Sequence, residues 1–290
     1  MKKIGFIGLG NIGKGICGNL IKHGYELSVY DVFAPAMERF ADRAYLAKDP
    51  ADVMAHSECV FLSLPKTEVV EAAVEAFLRT GVEGKMIIDT STSYPMSTRK
   101  LYEQVKAAGG AFLDAPLMAG PDEAEAGTLD IVVGGDKEDF DRASELFAAY
   151  CQSYKYVGPT GTGHLMKIAI NFCSLTEALL FAQLFPVMEK AGIAPEELFR
   201  IFDESNLKNW ISNFYTQKYV SREYRLDFAL ALGTKDLSYM KRIYEEYNVP
   251  GFILDGALDF CRVALHDQRP GEPPIDMSYP CETMYRLLGM

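Results

Sequence analysis

Short β-branched and aromatic runs recur through the first half of the chain: KIGFIG, ELSVYD, CVFLSLP, MIIDTS, AFLDAP, DIVVGG and YKYVG. Each has the length and the near-continuous apolar character of a strand buried on both faces. Between most of them the apolar positions recur at three and four residues, the period of a helix. Residues 67–78, with Glu68, Glu71 and Glu75 on a polar face, and residues 97–108 are examples. Alternating β and α elements predict a parallel sheet covered by helices on both sides. After about residue 160 the strand runs stop, and helical periods take over at 163–190, 195–202, 210–220, 235–247 and 251–266. The first of these would be about 40 Å long at 1.5 Å per residue, long enough to bridge two domains, with Pro186 expected to kink it. The pattern therefore predicts an α/β domain over residues 1–160 and an all-helical domain over 161–290 that includes the bridging helix.

The first strand runs into Gly8-Leu9-Gly10-Asn11-Ile12-Gly13, and a helical stretch follows as far as His23. G-x-G-x-x-G in that setting is the dinucleotide-binding fingerprint. The first glycine allows a tight turn, the second lets backbone approach a pyrophosphate, and the third permits close helix packing. Asp31 ends the second strand, near the offset of about 20 residues expected of the acid that binds ribose hydroxyls. These features define an N-terminal Rossmann-type doubly wound sheet. A carboxylate at 31 repels a 2′-phosphate, and Val32 and Phe33 supply no arginine to receive one, so NAD is favoured over NADP.

Composition narrows the partners. The chain is 49% hydrophobic and 24% charged, with a net charge of −11, which argues against nucleic acid because phosphate binding needs clustered lysine and arginine. The six cysteines are scattered, without C-x-x-C or nearby histidine, and read as small buried hydrophobes in a reducing compartment rather than as metal ligands or disulfides. The first strand begins by Lys3, leaving no room for a leader peptide. The most apolar window, ALLFAQLFPVMEKAG, reads as too short and interrupted to span a bilayer. A cytoplasmic protein with no membrane partner is expected.

The segment GTGHLMKIAIN, residues 161–171, sets Lys167 in an otherwise apolar helix, where an uncompensated ammonium is costly. Lys167 and Asn171 are i, i+4 and share one face. Hydride transfer from an alcohol needs a group to take the hydroxyl proton. A lysine whose pKa is pulled down by desolvation and nearby positive charge can do so. His164, one turn earlier, reads as a surface or packing residue rather than a second base.

The chain resembles the β-hydroxyacid dehydrogenase family, which includes 3-hydroxyisobutyrate dehydrogenase and tartronate semialdehyde reductase, with 6-phosphogluconate dehydrogenase a more distant relative. The resemblance runs through essentially the whole length. FIGLGNIGKGICGNL is similar to the family's N-terminal signature, and DAPLMAG (residues 114–120) stands where the family has its D-A-P-V-S-G-G substrate motif. AGTLDIVVGG follows at the usual distance. GTGHLMKIAIN matches G-x-G-x-x-x-K-x-x-x-N, and FALALGTKDL matches F-x-x-x-x-x-x-K-D-L. The resemblance implies Lys167 as acid/base with Asn171 as its partner, and Phe228 and Lys235 near nicotinamide and substrate. Leu64, Pro65 and Thr92 are implied as further cofactor contacts, and Met118, Ala119 and Gly120 as the loop that meets a small anionic substrate. Departures are Ile12, Ile16 and Cys17 in the signature, Gln183 where many members have glutamate, and Met118 in place of the serine that contacts the substrate carboxylate. The last bears on which substrate is taken more than on the reaction.

The expected activity is hydride transfer between NAD(H) and a small 3-hydroxy acid or semialdehyde. An imine reductase on the same scaffold generally lacks the lysine. An oxidative decarboxylase of sugar phosphates needs a basic pocket that no Arg/Lys cluster supplies. A non-catalytic dinucleotide-binding protein would have no reason to keep Lys167, Asn171 and Lys235. No metal is expected. The apolar helices of the second half, LTEALLFAQLFPVM and FILDGALDF, hold more hydrophobic surface than a small domain buries, predicting a homodimer or homotetramer.

Overall fold

The computed structural model describes every residue except Ala119 and Pro270. Its elements are β1 (Lys3–Ile7), α1 (Gly13–Lys22), β2 (Glu26–Tyr30), α2 (Ala34–Glu38), β3 (Tyr45–Leu46), α3 (Pro50–Ala55), β4 (Cys59–Leu62), α4 (Thr67–Thr80), β5 (Met86–Asp89), α5 (Pro95–Ala107), β6 (Ala111–Asp114), α6 (Pro121–Ala126), β7 (Leu129–Gly134), α7 (Lys137–Ala148) and β8 (Cys151–Gly158). The remainder is helical: α8 (Thr162–Lys190), α9 (Pro195–Asp203), α10 (Trp210–Ser221), α11 (Leu230–Glu246), α12 (Phe252–Leu265) and α13 (Pro280–Leu287). The chain divides into two compact units, Met1–Lys167 and Ile168–Met290.

In the first unit the strands lie in the order β3-β2-β1-β4-β5-β6-β7-β8. Alternation along a strand sends neighbours to opposite faces. Cys59 and Phe61 of β4 join Phe6, Val29 and Leu113 in one core cluster, while Val60 and Leu62 join Ile7, Ile87 and Phe112 in another. Both faces are therefore packed, as the apolar runs require. The expected all-parallel sheet needs one correction: β7 runs antiparallel to β6, and β8 pairs parallel with β7. After β6 the chain stays extended long enough for Leu117 to bridge Ile131 and for Met118 N–H to donate to the Asp130 carbonyl at 2.9 Å. It folds back through the six-residue α6, too short to carry it across the sheet, and an antiparallel return is what such a connection allows.

The second unit packs α10, α11, α12 and α13 with the later part of α8. Its core includes Leu175, Ala178, Leu179, Ala182, Phe185, Tyr219, Leu237, Leu258 and Tyr285. The helix α8 has 29 residues and continues past Pro186 to Lys190. Taken whole, its length and composition would suffice to cross a membrane, in contrast to the shorter window read from the sequence; 39% of its most apolar stretch is buried within the protein. The helix α11 begins at Leu230, five residues before the start that periodicity suggests, so Lys235 and Asp236 sit inside it rather than at its N-terminus.

Candidate active site

The glycine loop follows β1 at the carboxyl edge of the sheet, where β1 lies between β2 and β4 and the strand order reverses. This is the crevice in which open α/β sheets bind ligands. Gly8 has φ of 95°, and a Cβ on it would stand 2.1 Å from the Ser63 carbonyl oxygen. A Cβ on Gly13 would stand 1.9 Å from the Gly8 carbonyl oxygen, whereas one on Gly10 would meet no atom within 4 Å. Gly8 and Gly13 are thus required by the protein's own packing, and Gly10 faces open space, as a backbone that a pyrophosphate approaches should. The α1 helix opens directly behind with no acidic residue in its first turn. Asp31 is tied to the same loop: its carboxylate accepts from Leu9 N–H at 2.7 Å and from Phe33 N–H at 2.8 Å. Two amides leave further lone pairs on the carboxylate for ribose hydroxyls. The residues present fit a dinucleotide.

Along the same edge, Leu64 N–H donates to Ser91 Oγ at 2.9 Å, joining the ends of β4 and β5. Ser91 N–H and Ser93 Oγ–H both donate to the buried Asp89 carboxylate, at 2.9 and 2.8 Å. Leu64, Pro65 and Thr92 therefore occupy loops braced from beneath. Asp114, at the end of β6, accepts from Gly161 N–H and His164 N–H, each at 2.8 Å. Its carboxylate satisfies amides that the first turn of α8 leaves without helical partners. Burial pushes its pKa above the usual carboxylate range, opposed by the His164 ring and by the two amides. The glycines of GTG follow from this clamp: Gly161 has φ of 89°, and a Cβ on Gly163 would stand 2.6 Å from the Asp114 carbonyl oxygen. His164 is fully buried. Its Nδ1 is 2.8 Å from Thr98 Oγ1 and its Nε2 is 3.1 Å from the Ser91 carbonyl oxygen, with Asp89 Oδ2 at 3.7 Å. The packing role expected of His164 takes the form of a hydrogen-bonded strut. Lys167 follows one turn later on α8.

The 114–120 motif carries Met118 and Gly120; Ala119, the third residue expected there, lies outside the described residues. Gly120 N–H donates to Glu123 Oε2 at 3.0 Å. Glu123, the third residue of α6, thus caps that helix through a loop amide, and Glu125 pairs with Lys14 at 2.9 Å.

In the second unit Asn171 Nδ2–H donates to Asp236 Oδ2 at 2.7 Å. Lys235 Nζ lies 3.1 Å from Asp236 Oδ1, in ion-pair contact but outside hydrogen-bond geometry, and 5.1 Å from the centre of the Tyr239 ring. Asp236 is 3% exposed and joins two of the expected site residues. Only its place beside Lys235 hinted at this. Phe228 precedes α11 on a segment fixed by Asp276, whose carboxylate accepts from Asp227 N–H and Phe228 N–H, both at 2.9 Å. Lys218 Nζ pairs with the same carboxylate at 2.9 Å and with Asp227 at 2.8 Å. Asp276 and Lys218 had no signal in the sequence. Among the described residues no cluster of three His, Cys, Asp or Glu side chains is placed to hold a metal.

A strand-reversal crevice, a glycine loop with an open second glycine and an acid at the end of β2 define a Rossmann-type dinucleotide-binding protein. Residues 3–158 match the family model described as the NAD-binding domain of 6-phosphogluconate dehydrogenase. Residues 161–273 match the one described as the NAD-binding domain of NADP-dependent 3-hydroxyisobutyrate dehydrogenase. The chain is 34% identical to the mitochondrial 3-hydroxyisobutyrate dehydrogenase of Bos taurus over 73% of its own length; the match spans 64% of the bovine protein. It is 31% identical to the 2-hydroxy-3-oxopropionate reductase of Escherichia coli, covering 81% of this chain and 82% of that one. Among solved structures, the fold is similar to 3-hydroxyisobutyrate dehydrogenase of Mycobacterium tuberculosis with L-serine, at a TM-score of 0.88, 23% identity and coverage of 98% and 99% of the two chains. The chain belongs to the β-hydroxyacid dehydrogenase family.

Proposed function

We propose that this protein transfers a hydride between NAD(H) and a small 3-hydroxy acid or its semialdehyde, with Lys167 as the proton-transfer group. The observation that carries the reading is the clamp of Asp114 on the first turn of α8. It fixes the turn preceding Lys167 at the carboxyl edge of the sheet, the same edge on which the glycine loop lies. When bound, the dinucleotide supplies the hydride acceptor or donor. In oxidation the neutral amine of Lys167 takes the proton of the substrate hydroxyl, and in reduction its ammonium returns that proton to the carbonyl oxygen. Asn171 orients the lysine and the hydroxyl, and Asp236 holds Asn171. Gly8, Leu9, Gly10, Asn11, Ile12 and Gly13 cradle the pyrophosphate. Asp31 takes the ribose hydroxyls and selects NAD over NADP through its charge. Leu64, Pro65, Thr92 and Phe228 complete the cofactor contacts, and Lys235 and the 118–120 loop receive the substrate. The second unit supplies the surface for a homodimer or homotetramer.

The test is a screen of NAD⁺ and NADP⁺ reduction over small 3-hydroxy acids, 4-hydroxybutyrate and sulfonate analogues. Turnover with at least one 3-hydroxy acid that disappears in Lys167→Ala is the expected result. Failure of every compound with both cofactors would reject the reading.

A further inference from the structure

We propose that His164 is a positioning residue for the proton transfer: through its Nε2 it registers the turn of α8 before Lys167 against the loop that carries Thr92. The inference rests on the reading above, in which Lys167 moves the proton and Thr92 meets the cofactor. The ring is fully buried and stands between the end of β5, α5 and α8. Its Nε2 is 3.1 Å from the Ser91 carbonyl oxygen. A carbonyl only accepts, so Nε2 carries the hydrogen. Nδ1 lies 2.8 Å from Thr98 Oγ1 on α5. The two contacts are not equivalent. The Thr98 hydroxyl has a second acceptor one turn earlier, the Tyr94 carbonyl at 3.2 Å. Ser91, in contrast, is a junction. Its N–H donates to Asp89 and its Oγ accepts from Leu64 N–H, each at 2.9 Å, so its place follows both loops expected to meet the dinucleotide.

Asp114 grips the Gly161 and His164 amides through one carboxylate, and a turn held from one side chain can still swing about it. The His164 ring supplies a second point of attachment, on a different strand end. Lys167 lies three residues on, a neighbour on the same helix face, so any swing of the turn is carried to its amine. Without the Nε2 bond the loop after β5 keeps its own support, because Ser91 N–H and Ser93 Oγ–H still donate to Asp89. The cofactor contacts stay and the lysine alone is misplaced, and a misplacement of about 1 Å can cost about 100-fold in rate. His164 therefore acts on turnover rather than on cofactor binding.

The experiment sets His164→Gln against His164→Asn. A glutamine amide reaches as far along the side chain as Nε2 and an asparagine amide only as far as Nδ1, so the first keeps the Ser91 bond and the second only the Thr98 bond. The assay uses NAD⁺ and the best 3-hydroxy acid of the screen above. His164→Asn should lose about tenfold or more in kcat, with the KM for NAD within about twofold of wild type. His164→Gln should recover most of that kcat. Thr98→Val breaks the other contact and costs the fold at least as much, so it should lower the melting temperature yet keep kcat. His164→Leu, which fills the site without a hydrogen-bonding group, takes the place of the asparagine variant if that one does not fold. Equal kcat in the asparagine and glutamine variants, or a loss in Thr98→Val as large as that in His164→Asn, overturns the inference and leaves the dehydrogenase reading standing. Turnover of no 3-hydroxy acid by wild type overturns that reading, and the inference with it.

Discussion

Asn171 Nδ2 and Asp236 Oδ2 are 2.7 Å apart, a hydrogen bond between residues 65 positions apart in the chain. The acceptor is a buried carboxylate that also contacts the Lys235 ammonium. One side chain therefore sets the amide orientation of Asn171 and balances the charge of Lys235. Asp236→Ala should lower kcat/KM about 10- to 100-fold, because misplacement by about 1 Å can cost that much. Asp236→Asn should retain more activity, and the KM for NAD should change little in both. Steady-state kinetics with cofactor and substrate varied separately reads this; an alanine variant with wild-type kcat/KM would remove Asp236 from the site.

Lys167→Ala should bind NAD almost normally and lose about 10²- to 10⁴-fold in kcat, the usual cost of a missing general acid/base. Lys167→Arg should fail to rescue it, because a guanidinium does not release its proton near neutrality. Cofactor affinity by fluorescence titration and kcat on the best substrate separate this outcome from a folding defect. Near wild-type turnover in the alanine variant would make the lysine a structural residue.

Asp31→Asn should weaken NAD and raise the NADP-to-NAD ratio of kcat/KM about tenfold or more, since it removes the charge that repels a 2′-phosphate. The asparagine keeps one acceptor for the Leu9 or Phe33 amide, so the glycine loop stays formed. Kinetics with both cofactors provides the measurement. A tenfold preference of wild type for NADP would contradict the assignment.

Asp276 is desolvated by burial, which alone would raise its pKa. Hydrogen bonds from Ser278, from the Phe228 and Asp227 amides and from Lys218 outweigh this and leave it below the ordinary 3.8. A carboxyl with a depressed folded pKa stabilises the fold above its unfolded pKa, and that contribution is lost as pH falls through the folded value. Melting temperature should therefore drop below about pH 4, with a shallower drop in Asp276→Asn. At neutral pH that variant should be about 3 kcal/mol less stable, the lower end for a broken buried pair, because Asp227 still faces Lys218. Thermal melts between pH 7 and 3.5 check the first statement, and denaturant melts at pH 7 the second.

The second unit leaves Phe252 83%, Trp210 70% and Ile253 69% exposed. Light scattering at micromolar concentration should give a dimer or tetramer, and Phe252→Ser with Ile253→Ser should shift it toward smaller species. A monomeric wild type would rule out the assembly.

The strands of the first unit, the helices of the second and the glycine loop were legible in the sequence because their causes are local. A strand buried on both faces must be continuously apolar, a helix repeats its apolar positions every three or four residues, and Gly8 and Gly13 leave no room for a Cβ. Lys167 and Asn171 could be set on one face from the helical period alone. What only the tertiary structure decided are partnerships between distant residues. The reversal of β7 follows from how the 115–128 segment folds back, which a strand pattern does not encode. Asp114 holds amides 47 and 50 positions away, and His164 reaches Ser91 and Thr98, 73 and 66 positions away. Asp236 finds Asn171, 65 positions away. Periodicity records which face a residue presents to the core; a hydrogen bond depends on where two separate elements come to rest, and only the folded chain fixes that.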